Sequence, residues 1–194
     1  MTQRSRKPSK AAPPRMQPLA KLPVFFDLAG KRVAVVGGTD ASAWKAELLA
    51  AAGADVEVYA SHLHPEMSAL LQRGTAAGSL VHQGPVCGAN QLAGAALLVA
   101  DAENDTQAAA FVAMARAAGL PVNVIDRPTY CDFQFGSIVN RSPIVIGIST
   151  DGAAPILGQE IRRRIETLLP PGLAAWASMT KQLRKAVAAK LQPG

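Results

Sequence analysis

The chain has 194 residues, 49% hydrophobic but only 5% aromatic, so its one sizeable core must be built from Ala, Val, Leu and Ile. No apolar run approaches the roughly 20 residues of a membrane span, and residues 1–20 lack the apolar stretch of a secretion signal. The net charge of +6 gathers at the ends, with +5 from Arg4, Arg6, Lys7, Lys10 and Arg15, and +5 from seven basic against two acidic residues over 160–194. The middle, with eight basic and twelve acidic residues, is at −4.

Residues 1–20 contain Pro8, Pro13, Pro14 and Pro18, which prevent a stable amphipathic helix. They read as a disordered basic tail that aids solubility, rather than a nucleic-acid or membrane contact. The basic C-terminal segment has helical periodicity and reads as a solvated helix face or as a surface for a polyanionic ligand. Cys87 and Cys131 lie in no C-x-x-C and read as buried or idle thiols of a cytoplasmic protein.

After the tail, LPVFFDLAGKRVAVVGG gives an entry segment, a turn at Ala29-Gly30 and a strand over 32–36. The helix that follows aligns Trp44, Leu48 and Ala52 on one face and stops at Gly53. A strand is expected over 56–60, then a helix with Met67, Leu70 and Leu71 apolar, closed by Gly74. A weak strand over 80–83 and a strong one over 96–100 come next. A helix over 104–118 turns Ala108, Phe111, Val112 and Ala115 inward, and a fifth strand spans 121–126. Strands alternating with helices at this spacing predict a doubly wound parallel sheet covered on both faces. Ligands of such sheets bind beyond the C-terminal ends of the strands. The loop after the first strand lies at that edge, as do Ser61-His62, Asp101 and Asp126.

From residue 131 the pattern changes. SIVNRSPIVIGIS reads as two short strands joined at Asn140–Pro143. Pro155 suits the first turn of a helix, with Ile161, Ile165 and Leu168 on one face and Pro170-Pro171 as its stop. A last helix is expected over 173–191. Two strands and two helices are too little to fold alone, and must pack on the first domain or on a second subunit.

The stretch VVGGTDASAWK stands where a dinucleotide-binding chain has G-x-G-x-x-G, with Gly37, Thr39 and Ser42 at the three positions. Gly37 suits the tight turn, Gly38 relaxes the loop beside Thr39, and Ser42 is small enough for close helix packing. The helix start offers free N–H groups. The acid expected for the ribose has candidates in Asp55 and Glu57, neither at the strand end. Taken alone, the loop reads equally as a cofactor loop or as a plain strand–turn–helix. His62-Leu63-His64 lacks a nearby third ligand and reads as a polar loop, so no metal site is expected.

NVIDRP at 123–128 and CDFQFGSIVNRSPIVIGISTDGAAPILGQEIRRRIETLLP at 131–170 resemble the N-terminal module of siroheme synthases, the precorrin-2 dehydrogenase and sirohydrochlorin ferrochelatase family. The resemblance extends back through KAELLAAAGADVEVYA and covers roughly residues 22–191. It implies a Rossmann-like α/β domain at 21–131, a small dimerisation segment at 132–153 and a helical C-terminal domain at 154–194, assembled as a homodimer. It implies NAD-dependent oxidation of precorrin-2 to sirohydrochlorin, with ferrous iron a further substrate if the chelatase step is present. The acid of N-V-x-D, Asp126, is then the general base; read without the family, it caps the next turn. The cofactor residues carried over are Gly37, Gly38, Thr39, Asp40, Ala41, Ser61 and His62.

Thr150 and Arg141 become substrate-binding candidates; Thr150 also reads as a helix N-cap and Arg141 as a solvated or subunit-contact residue. Asp101 reads as a cofactor-edge acid or a helix cap. The chain departs from the family at Thr39, where a third glycine is usual, and at Trp44-Lys45, where Arg-Lys is usual. Those departures motivate an alternative: a catalytically inactive tetrapyrrole- or nucleotide-binding protein on the same scaffold. A uroporphyrinogen-III methyltransferase, often fused to this module, is expected to be separate or to lie in a missing part of a longer chain.

Overall fold

The computed structural model describes residues 16–170 and 172–191. Most of the expected basic tail, residues 1–15, lies outside them. The chain divides into a unit spanning Phe25–Phe135 and a second unit formed by Gly136–Gly194 with the segment before Phe25.

The first unit holds five parallel strands, β1 (Arg32–Val36), β2 (Asp55–Tyr59), β3 (Ser79–Gln83), β4 (Leu98–Ala100) and β5 (Val122–Val124), in the order β3-β2-β1-β4-β5. Val36 pairs with Tyr59 on one side and Ala100 on the other. The sequence dictates this burial: RVAVV and LVA are β-branched or small at nearly every position, as strands covered on both faces must be. Val33 and Val35 are fully buried, each contributing about 2 kcal/mol of apolar transfer.

Helices α1 (Asp40–Ala51) and α2 (Pro65–Arg73) belong with one face of the sheet, where Val33, Val35, Val56 and Val58 meet Ala46, Leu49, Met67 and Leu70. Helices α3 (Ala89–Leu92) and α4 (Asp105–Ala117) belong with the other, where Ala34, Val36 and Leu98 meet Leu92, Ala108, Phe111 and Val112. The expected inward face of α4 is the observed one, and the short α3 is an addition.

The expected face of α1 is wrong. The helix buries Ser42, Ala43, Ala46, Leu49 and Ala50, while Trp44 is 54% exposed. The polar residues of α1 do not gather on one side, with Asp40 and Glu47 exposed but Ser42 buried and Lys45 half-buried, so periodicity did not select a face. Small residues won the sheet side because α1 must approach β1 closely behind a tight loop. Of the two thiols expected to be buried or idle, Cys87 is exposed and Cys131 half-buried, and both are free.

The second unit contains an antiparallel hairpin of β6 (Ser137–Arg141) and β7 (Ile144–Ile148), followed by α5 (Pro155–Leu168) and α6 (Leu173–Leu191). Gly158, buried in α5, lets that helix close on the hairpin: a Cβ there would lie 3.5 Å from Ser137 Oγ and 3.6 Å from Thr150 Cγ2. Of the expected face of α5, Ile161 and Ile165 are half-buried and Leu168 is 78% exposed. No described helix is long and apolar enough to cross a membrane.

Candidate cofactor site at the sheet switch point

Strand order reverses between β1 and β4, so the loops after these strands part to opposite faces and open a crevice at the sheet's C-terminal edge. Gly37 turns out of β1 at φ 133°, a conformation that L side chains rarely adopt, and donates to Tyr59 O at 2.9 Å. A Cβ on it would stand 2.9 Å from Asp101 Cβ. Gly38 is buried, and a Cβ there would collide with the carbonyl oxygen of His62. His64 N–H donates to Gly38 O at 2.8 Å, locking the loops after β1 and β2 together.

Thr39 does not fill the role of a second glycine. It is the N-cap of α1, its Oγ1 accepting from Ser42 N–H at 3.2 Å, and its hydroxyl also donates to Asp101 Oδ2 across the switch point. Close approach falls to Gly38 instead. Ser42, fully buried, donates to Thr39 O at 2.9 Å and supplies the small side chain where α1 meets the sheet. Asp40 and Ala41 open α1 on the exposed side, where the first N–H groups of a helix point outward.

Ser61 and His62 follow β2, both exposed at the same edge. Asp55 and Glu57 are engaged elsewhere: Asp55 accepts from Ser79 Oγ at 2.7 Å, while Glu57 pairs with Arg32 at 2.9 Å and accepts from Tyr59 OH at 2.7 Å. Burial and that carboxylate push the Tyr59 phenol up to about 12. Asp101 is not a helix cap; that place belongs to Asn104, which accepts from Gln107 N–H at 2.9 Å.

Asp126 stands just past β5, exposed, at φ 56° in the left-handed region. Asp is among the few side chains that tolerate this conformation. It does not cap the next turn: the 3₁₀ turn Pro128–Tyr130 starts at Arg127 with no side-chain cap, and the Asp126 carboxylate forms no hydrogen bond among the described residues. Its neighbours hold it in place. Arg127 donates to Ala102 O at 3.2 Å and Glu103 O at 2.9 Å and pairs with Asp105, tying the end of β5 to the loop after β4. Asn123, the first residue of N-V-x-D, is buried and donates to Phe133 O at 2.8 Å. Both roles were absent from the sequence reading, although a buried Asn in a strand signals a backbone partner.

Lys45, the cation the family's Arg-Lys pair shares with this chain, lies over the rings of Phe135 and Trp44 at 4.2 and 4.5 Å, a placement that was not expected. Its signal was a cation three residues after Ser42 and four before Leu49, on the buried side of α1.

The structure thus brings Gly37, Gly38, Thr39, Asp40, Ala41, Ser61, His62 and Asp126 to one edge of one sheet. Thr150 and Arg141 belong to the second unit. Thr150 lines a cavity of about 400 Å³ with Ala20, Lys21, Ser149 and Asp151, where Lys21 and Asp151 pair at 3.2 Å. Thr150 is not the N-cap of α5; Ala154 holds that position. Arg141, half-buried, donates to Asn140 O at 3.0 Å.

Residues 24–137 match a family described as putative NAD(P)-binding, and residues 141–168 match the sirohaem biosynthesis protein central family. The siroheme synthase of Psychrobacter cryohalolentis is 38% identical over 169 residues, covering 87% of this chain and 32% of that protein. That of Methylobacillus flagellatus is 37% identical over 173 residues, covering 89% and 36%. The chain therefore spans about a third of the length of the curated relatives it matches. A solved structure titled SirC, precorrin-2 dehydrogenase, shares the fold at TM-score 0.62 and 21% identity over 90% of this chain and 83% of that one. With that match over most of its length, the chain belongs to the putative NAD(P)-binding family, and the sirohaem central segment that follows gives it the same two-part match as a siroheme synthase N-terminal module.

Proposed function

We propose that this chain oxidises precorrin-2 to sirohydrochlorin with NAD, and that Asp126 is the general base. The observation that carries the reading is Asp126 itself: an exposed carboxylate without a hydrogen bond, in a left-handed backbone, at the carboxyl edge of an NAD(P)-binding sheet. Backbone held in a sparsely populated region and charge left unused are marks of a working site.

The chain's residues fit the cofactor. Gly37 and Gly38 keep the loop free of side chains, Thr39 holds the mouth of α1, and the N–H groups of Asp40 and Ala41 face an incoming pyrophosphate. Ser61 and His62 stand where the adenosine ribose belongs. NAD, when bound, supplies the hydride acceptor. Asp126 takes the proton that leaves the macrocycle as the hydride departs. The same carboxylate suits removal of pyrrole N–H protons if ferrous iron is a second substrate, giving siroheme. Thr150 and Arg141 are proposed to hold substrate carboxylates.

The chain works as a cytoplasmic homodimer in this reading. Its support is apolar surface on the second unit: Val145 of the hairpin is exposed, and Trp176, Met179, Leu183 and Val187 form an exposed stripe at helical spacing along α6. The basic tail, 1–20, is accessory; the Rossmann-like domain, dimerisation segment and helical domain follow it. Precorrin-2 comes from a uroporphyrinogen-III methyltransferase, separate or fused.

The test is anaerobic incubation of enzymatically generated precorrin-2 with NAD and the purified chain, followed by absorbance. NADH and sirohydrochlorin formed together support the reading. Folded protein that binds NAD but forms neither product favours the inactive binding-protein alternative, for which the loop departure at Thr39 is the motivation.

A further inference from the structure

Lys45 is a cation held in an unusual place. It sits in the second turn of α1, between the buried Ser42 and Leu49. Its ammonium is 4.2 Å from the ring centroid of Phe135 and 4.5 Å from that of Trp44. Behind Phe135 the rings of Phe133 and Phe26 continue the wall, at centroid separations of 5.6 and 5.8 Å. Aromatic faces attract a cation but take no ordinary N–H hydrogen bond. Lys45 forms no hydrogen bond or ion pair among the described residues.

Burial pushes the ammonium below the usual lysine range, opposed chiefly by the negative charge of Asp126 and then by Cys131. Burial raises the Cys131 thiol in turn, which keeps it neutral. Lys45 and Asp126 form no ion pair among the described residues. Beside α1 stand a cation with no hydrogen-bonded partner and an aromatic wall of Phe135, Phe133 and Phe26. A lysine that merely covered apolar surface would run its head out to water.

We propose that Lys45 anchors the substrate, its ammonium taking a carboxylate from the rim of the macrocycle. This rests on the function proposed above. The ligand class follows from the cation and its aromatic surroundings: a macrocyclic polycarboxylate, one of whose rim carboxylates meets the ammonium held over Phe135 and Trp44. Lys45 binds without taking part in proton transfer, so its loss shows mainly in substrate affinity.

Two measurements on the full chain test this. In the first, Lys45→Met raises KM for precorrin-2 by about tenfold or more, with kcat changed less than about threefold and NAD affinity kept, and Lys45→Arg recovers part of the loss. Circular dichroism and NAD binding report whether each variant is folded. In the second, wild-type lysines are reductively methylated at neutral pH and mapped by mass spectrometry. Uroporphyrin III, a polycarboxylate macrocycle, shields Lys45 from methylation while NAD does not. An unchanged KM in Lys45→Met, or methylation of Lys45 indifferent to uroporphyrin III, overturns the proposal while leaving the dehydrogenase reading standing. A wild type that neither oxidises precorrin-2 nor binds uroporphyrin III removes both.

Discussion

At the scale of single residues, the crevice is set by what Gly37, Gly38 and Asp126 do with the backbone. Gly38 faces the His62 carbonyl with no room for a methyl group. Gly38→Ala is expected to destabilise the protein by about 2–3 kcal/mol, because the obstacle is backbone and cannot swing away; urea unfolding at equilibrium measures it. Asp126→Asn has a different outcome. Asn tolerates the left-handed region as Asp does, so the melting temperature should stay near wild type while turnover falls by about 10²–10⁴-fold. The glycines and the acid were legible in the sequence because each marks a backbone demand or a family motif. The packing of Lys45 was not, because it depends on Phe135, ninety residues away in the chain. Asn123 was hidden for a similar reason: its partner, Phe133 O, lies on a returning loop.

At the scale of elements, the sheet and its helices follow from alternating apolar runs and from caps. Thr39 begins α1 and also reaches Asp101, so Thr39→Val loses both a cap and a strap across the switch point. A stability loss of about 1–2 kcal/mol is expected in denaturant unfolding, with weakened NAD affinity by calorimetry. β1, β2 and the inner face of α4 were readable, since their burial patterns are unambiguous. The inner face of α1 was not. Trp44 drew the sequence reading toward the wrong side, and only the close approach to β1 chose alanines over tryptophan. The short α3 was also missed; it is held by Arg32, which donates to Gln91 O at 3.1 Å. Tyr59 gives β2 a pH signature. Its phenol is raised to about 12 from an ordinary 10.0, so the fold favours the protonated form. Stability is unaffected by this group below pH 10 and declines as pH rises toward 12, where the unfolded chain ionises first. Tyr59→Phe should lack that decline in thermal melts across the same window.

At the scale of the whole molecule, the second unit bears apolar surface that one copy leaves exposed. Met179 and Leu183 sit among it on α6. The proposed homodimer predicts a dimer mass for the wild type by light scattering and a monomer mass for Leu183→Lys; a monomeric wild type would contradict the dimer, and a Leu183→Lys variant that stays dimeric would place the interface elsewhere. The chain's central claim is narrower than its assembly: an NAD site and a carboxylate base meet at one sheet edge. Single-turnover oxidation of precorrin-2, run anaerobically with NAD for wild type and Asp126→Asn, tests it most directly. The account predicts NADH and sirohydrochlorin from the wild type, and almost none from a variant that still binds NAD with wild-type affinity. Equal turnover by the two proteins would contradict it.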